Sequence, residues 1–367
     1  MAEQADAAVS KTVEGQPSCR FESDLRHRLY NTRRTSFALP GPGLFKPALY
    51  EARMNIFIVV LESVLVLLGI GVIGFWITRR NVVPENVLGF LATLAIDIAL
   101  PSTVFANILV NFNPSDFPDW WQLPLWWLGF TALALVLTLV TRLISARETR
   151  PEFGLSLFFQ NGIFFPLIIL SGIFGTGTPL VAQLFIFIML HPSMLFSTYQ
   201  LFFKKAPEQL RWQRIINPVL VATIIAVVVQ LAGVKAYLPD FVLSIFEILG
   251  AMALPLVMII LGGSLYLDVR QRGKFYYAEI AKFVIVKNIV FPLAIIGVMV
   301  LLRPDYNIAL LFLLQASVPP VTGTPILTAR CGGNRSIATQ FVFASFAASV
   351  LTIPAAFYLF THFFPMP

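Results

Sequence analysis

QNGIFFP, residues 160–166, and QASVPPVTGTP, residues 315–325, are the stretches whose reading decides the fold. Each lies inside a run apolar enough to be a membrane helix, and each leads with a Gln and then places glycine and proline where a helix should be most regular. Proline removes a backbone donor and blocks the turn before it, and glycine permits the bend. Open backbone polar groups at membrane depth are costly, so such breaks persist only inside a protein or along a watery cavity. Two of them, far apart in sequence, point to a buried polar site built from both.

The rest of the chain agrees with a membrane setting. Of 367 residues, 57% are hydrophobic and 12% charged, against roughly 25% charged in a soluble domain. The expected class is an all-α polytopic membrane protein. The net charge of +7 does not imply nucleic acid, because Lys and Arg fall in short loops between apolar runs. Two cysteines, Cys19 and Cys331, make no disulfide framework, and His27, His191 and His362 are scattered, so no metal or cofactor is expected.

A spanning helix needs roughly 20 apolar residues. Ten segments qualify, at about 55–77, 86–110, 121–144, 152–174, 179–203, 214–233, 240–267, 276–302, 306–330 and 335–362. Of the Lys and Arg in the loops between them, all but Lys235 and Arg303 fall on alternate loops, near residues 79–80, 142–150, 204–214, 270–274 and 330–335. The positive-inside rule puts those loops in the cytoplasm and both termini outside. Residues 1–53 are expected to form a polar, disordered tail; a start at Met54 and, less favoured, a presequence are the other readings.

The two halves resemble each other at a nearly constant offset. VVPENV (82–87) matches YLPDFV (237–242), so Pro84 faces Pro239. IALPSTV matches MALPLVM, so Pro101 faces Pro255; Gln160 faces Gln315, and the Gln183 region faces the Gln340 region. The expected organisation is a first five-helix repeat at 54–203, a short cytoplasmic loop at 204–213 and a second repeat at 214–367. An odd number of helices inverts the second copy, as in many secondary transporters, whose substrate sites lie where interrupted helices of the two repeats meet. Helices 4 and 9 are the repeat-equivalent, broken, crossing pair. Half-helix N-termini there would attract an anion.

Several motifs resemble the auxin efflux carrier family. ALPLVMIILGGSLYL (253–267) is similar to its seventh segment and KNIVFPL (287–293) to its Lys-x4-Pro in the eighth. IALPSTVF (98–105) is similar to its second segment, and SVPPVTGTPILTARCGGNRSIATQFVFASFAASVLTIP (317–354) to its last two. The resemblance covers essentially 54–364. It implies a ten-helix fold shared with bile-acid symporters and sodium/proton antiporters, with segments 3–5 and 8–10 moving against a scaffold of 1, 2, 6 and 7. It implies transport of organic anions: auxins in plants, dicarboxylates such as malonate or malate in bacteria. Asn161 and Pro166 are spaced as in the eukaryotic carriers.

Ionisable groups within spans are functional candidates. Asp97 and Lys287 each lie roughly 15 Å into a segment that starts on the cytoplasmic side, and are expected to meet. Lys287 would attract a carboxylate, with Asp97 as partner, coupling or gating group; a purely structural ion pair is the other reading. Lys282 and Glu279 read as a local pair, Glu62 and Glu247 as outer-vestibule or interfacial groups, His191 as a core histidine, and the Trp residues at 120, 121, 126 and 127 as an interfacial belt. The substrate-binding set expected is Gln160, Asn161, Gly162, Pro166, Lys287, Gln315, Ser317, Pro319 and Pro320.

The function expected is an alternating-access carrier for an organic anion. A cation, proton or sodium-coupled transporter on the same fold is the alternative, disfavoured by the lack of Asp and Glu read within segments 4 and 9. No catalytic motif marks an enzyme, and no stretch is long enough for a sensor's output domain. The partners expected are a small carboxylate, the lipid bilayer and a second copy through the scaffold helices, with no nucleic acid. The plasma membrane is the expected location, an endomembrane the alternative.

Overall fold

The computed structural model describes residues 45–175, 177–203, 217–270 and 275–366. The expected tail up to residue 44 and the expected loop at 204–213 lie outside the described residues. Among those described, every regular element is a helix, and Ala52–Pro367 is one compact unit. Helix α1 (Phe45–Arg79) starts ahead of the expected boundary at 54. It is followed by α2 (Glu85–Leu94), α3 (Leu100–Asn111), α4 (Leu123–Thr141), α5 (Arg150–Phe158), α6 (Phe164–Phe174), α7 (Pro179–Phe187) and α8 (His191–Thr198). Beyond the central loop come α9 (Pro218–Leu231), α10 (Asp240–Ala251), α11 (Ala253–Arg270), α12 (Tyr277–Ile285), α13 (Phe291–Leu302), α14 (Tyr306–Ser317), α15 (Thr324–Arg330) and α16 (Arg335–Phe363).

Among the described residues, seven stretches are long and apolar enough to cross a membrane: Met54–Arg79, Asn86–Asn111, Trp120–Ile144, Pro179–Phe202, Asp240–Leu267, Tyr277–Leu302 and Arg335–Phe363. Phe164–Phe174, Pro218–Leu231 and Tyr306–Ser317 are apolar but shorter. Their outward sides are greasy, with Val72, Phe90, Val136, Ile248, Leu301 and Leu351 all exposed. That surface suits lipid and would be a liability in water.

Two prolines explain two wide turns. Pro101 and Pro292 lack the N–H that would bond the carbonyls of Asp97 and Asn288, and their rings crowd those carbonyls. The backbone widens to π-helical turns over Ala95–Ala99, joining α2 to α3, and Val286–Val290, joining α12 to α13. Such turns are frequent at functional sites, and each carries the ionisable residue of its span, Asp97 or Lys287.

Packing pairs the helices in an antiparallel sense. α2 packs on α11 and α3 on α10; likewise α5 packs on α15 and α6 on α14. Aromatic contacts cement one group of elements. Phe153 of α5 meets Phe283 of α12 edge-on at 5.2 Å and Phe341 of α16 at 5.6 Å, and those two stack at 4.5 Å. Phe312 of α14 takes Phe130 of α4 and Phe187 of α7. Each such pair adds about 0.5–1.5 kcal/mol beyond area burial. Elsewhere the backbones themselves approach. A Cβ on Gly250 of α10 would sit 2.8 Å from Thr103 Cα, and Thr103 Oγ1 donates 2.7 Å to the Gly250 carbonyl. Gly250→Leu is therefore expected to cost about 1–3 kcal/mol through overpacking. It should appear as a lower melting temperature of the purified protein, whereas Gly69→Ala, with nothing within 4 Å, should melt as the parent.

Candidate functional site

The helix begun by α5 stops at Phe158, and Phe159 is extended (φ −98°, ψ 103°). Helix resumes at Phe164, leaving Pro166 buried in the first turn of α6, where its missing N–H costs no intrahelical bond. In the second stretch α14 stops at Ser317, Val318 is extended, and α15 begins at Thr324. The two breaks lie antiparallel across each other through an isolated bridge between Gln160 and Pro320. Asn161 N donates to the Pro319 carbonyl at 2.8 Å, and Val321 N to the Phe159 carbonyl at 2.9 Å. Side chains finish the join: Gln315 Nε2 donates to the Gly162 carbonyl at 2.9 Å, and Gln160 Nε2 to Gln315 Oε1 at 3.4 Å. A side chain on Gly162 would overlap the Gln315 amide, so glycine is required there by close approach.

The crossing is buried, yet its polar atoms are not all used. Among the described residues, Gln160 Oε1, Asn161 Nδ2 and Ser317 Oγ have no hydrogen-bond partner. Native proteins pair nearly all such atoms, and exceptions ask for a cause. Lys287, 0% exposed, reaches the second of the two breaks. Its Nζ makes a 3.4 Å bond to the Ala316 carbonyl, one residue from Ser317, and sits 5.0 Å over the Phe291 ring. Among the described residues it has no carboxylate partner. Its turn is held by the next residue: Asn288 Nδ2 donates to the Ser345 carbonyl at 3.0 Å and Thr352 Oγ1 at 3.2 Å, while Ser345 Oγ donates to Asn288 Oδ1 at 2.8 Å. The crossing thus buries an amide and a hydroxyl donor without partners among the described residues, with the Lys287 amine bonded to the second break.

Other candidates land differently. The expected Asp97–Lys287 pair is corrected: Asp97 lies on the exposed side of its turn between exposed Ile96 and Ile98, packed with α9–α11, while the Lys287 turn packs on α14 and α16. The second half-helix, α15, is only seven residues with Pro325 near its start, so it offers a weaker dipole than the expectation of two half-helix N-termini assumed. Lys282 pairs with Glu279 at 2.8 Å as a local bridge. His191 is buried, bonded to the Gln160 backbone and edge-on to Trp127 and Phe159. Trp127 is buried too, so the expected Trp belt includes a core residue.

The expectation of no acid within segment 4 is also corrected. Glu152, its first residue, is 3% exposed. A cavity of about 520 Å³ lies between α3, α10 and α6, lined by Asn107, Asn111, Glu247, Leu167 and Ser171 among others. Leu167 is one helical turn from the first break. Of these lining groups only Glu247 was singled out by sequence. Asn107 and Asn111 carry an i,i+4 amide spacing that could have flagged them.

Long apolar helices with greasy outward sides are the build of an integral membrane protein. The family described as membrane transport protein matches residues 59–211 and 202–357. The chain therefore belongs to that family, which is the auxin efflux carrier family of transporters. No curated protein matches the chain.

Proposed function

We propose that the chain is a secondary carrier for an organic anion, an auxin-like monocarboxylate or a small dicarboxylate, working by alternating access at the crossing of the broken helices. The observation that carries this reading is that the buried breaks hold Asn161 Nδ2 and Ser317 Oγ without hydrogen-bond partners among the described residues, while Lys287 Nζ reaches the second break at the Ala316 carbonyl. Gln160, Gly162, Gln315, Pro319 and Pro320 tie the two breaks together at the crossing, and Pro166 fixes the start of α6, whose N-terminus favours negative charge.

The antiparallel pairing of α2 with α11, α3 with α10, α5 with α15 and α6 with α14 supports ten segments in two inverted repeats, 54–203 and 214–367. Links between elements support the loop sidedness. Glu279 accepts from Ser145 Oγ at 2.7 Å, and Asn334 Nδ2 donates to Tyr276 Oη at 3.0 Å, so loops rich in Lys and Arg meet at one end. That end is the cytoplasmic one. The cavity lined by Glu247 then serves as the outer approach, in the size range of ligand sites. The crossing itself is shut in this conformation, so delivery requires the α5–α6 and α14–α15 elements to move against α3 and α10. The plasma membrane is the proposed location.

The test is the purified chain in liposomes against labelled malonate, malate and indole-3-acetate. Saturable exchange of at least one of them is expected. Sodium–proton exchange with no carboxylate movement would replace this reading with the cation-transporter one.

A further inference from the structure

The acid that the sequence reading passed over has its own surroundings. Glu152 lies in the first turn of α5, and its Oε1 accepts the Asn334 N–H at 2.7 Å. Its Oε2 is buried with no partner among the described residues. Ser156, on the same face one turn deeper, is wholly buried and its Oγ is also without a partner. Across from this face is α15, which packs on α5. There Thr328 is wholly buried and its Oγ1 is unpartnered. Thr328 and Glu152 border the same turn: a Cβ on Gly333 would lie 2.8 Å from Glu152 Oε1 and 2.9 Å from Thr328 Cγ2. Past Ser156 the helix ends, and Gln160 follows with Oε1 open.

We propose that these groups form a hydrated proton path from the cytoplasmic side to the crossing, with Glu152 as its proton acceptor. The spacing suits it. Residues four apart on a helix are about 6 Å apart along the axis, which one water spans with two hydrogen bonds of about 2.8 Å. Hydroxyls of Ser156 and Thr328 can both accept and donate, as a relay needs. Glu152 takes a proton from water at the basic end, and the relay returns one to water beside Gln160, so charge moves without any other bond changing. The charged or titratable groups nearby are Arg142, Tyr199, Tyr276, Glu279, Lys282, Arg330 and Arg335 on packed elements, and Arg150 on α5 itself; Glu279 pairs with Lys282 and accepts from Thr149 Oγ1 at 3.3 Å just ahead of α5, and no ion pair joins any of these groups to Glu152 among the described residues. Arg150 instead donates to the Ser145 and Leu143 carbonyls. Among the described residues, the buried Glu152 carboxylate thus has no cation paired with it. A proton that travels with a carboxylate would make its passage closer to neutral, and this part rests on the carrier reading above.

The experiment has two arms on the full chain. In liposomes, labelled malate, malonate or indole-3-acetate is followed in exchange mode and under an inward acid gradient. Glu152→Gln keeps the acceptor for Asn334, so exchange is expected to persist while gradient-driven accumulation is lost. Equal accumulation by Glu152→Gln and the parent would overturn the proposal, as would accumulation driven by sodium at matched pH and abolished by the same change. The second arm needs no substrate. Infrared titration of the purified protein should show a protonated-carboxyl band, exchangeable in heavy water, that Glu152→Gln removes; a parent lacking it would overturn the proposal. Absence of all carboxylate exchange by the parent would instead count against the carrier reading alone, and the infrared arm would still decide. Should Glu152→Gln fail to fold, Ser156→Ala carries the test: gradient-driven accumulation slowed with exchange intact is expected, and an unchanged rate overturns the relay.

Discussion

Replacing Lys287 with Met is expected to give a folded protein that has lost most of its affinity for carboxylate. The parent ammonium is fully buried with one long bond to the Ala316 carbonyl and the Phe291 face for company. Burying a charge without an opposite charge is unfavourable, so the site is arranged to gain when an anion arrives. A charge-assisted hydrogen bond is worth about 1.5–3 kcal/mol. At about 1.4 kcal/mol per factor of ten, binding should weaken roughly ten- to a hundred-fold. Met fills the volume, which Ala would leave as a cavity, and its melting temperature should equal or exceed the parent's because an unpaired buried charge is gone. Asn161→Ala should weaken binding less, by the loss of a neutral donor. Lys282→Ala should change little, since that side chain is 40% exposed and bound to Glu279. Asp97→Asn should not rescue any Lys287 variant, because the two do not meet. Near-parental carboxylate affinity in a folded Lys287→Met protein, measured by direct binding, would reduce this lysine to scaffolding.

Why the lysine was legible and its partner was not follows from what a sequence can report. Counting residues into a span gives depth, and depth placed Asp97 and Lys287 at the same level. It says nothing about which side of a helix a residue faces or which group of helices owns it, and on both counts Asp97 turned away. The breaks were legible because their causes are local: Pro166, Pro319 and Pro320 cannot continue a helix, and Gly162 can turn. Their mutual pairing was suggested by the matching positions of Gln160 and Gln315, which do touch. The shortness of α15 was not read. It ends at a turn in which Gly332 takes φ +70°, only a few residues beyond the break. Glu152 was missed because hydropathy places it at a span boundary, where acids are ordinary. Only the fold brings Asn334, 182 residues on, to cover it.

The largest loss is expected from one methyl group, in Gly162→Ala. The added Cβ would overlap Gln315 Oε1 and come within 2.9 Å of Cδ and 3.0 Å of Nε2. The amide cannot simply swing aside. Gln315 is 0% exposed, its Nε2 holds the Gly162 carbonyl and its Oε1 receives Gln160. Overpacking costs about 1–3 kcal/mol, and each neutral hydrogen bond given up adds roughly 0.5–1.5 kcal/mol. The break would have to reopen, moving Asn161 away from Pro319. Gly162→Ala is therefore expected to abolish carboxylate exchange in liposomes and to lower the melting temperature by several degrees. Gln315→Ala alone should be milder in stability, because it removes bonds without adding bulk. Combining the two tells steric cause from chemical cause. With Ala at 315 the overlap disappears, so the double variant should melt above Gly162→Ala, with a coupling of about 0.5–3 kcal/mol between the sites. Exchange should stay lost, since the Gln160 amide is then stranded and the crossing is no longer tied. Parental exchange by Gly162→Ala would mean that the Gln315 amide is not held where the crossing needs it, and the join between the two breaks could not be what positions the site.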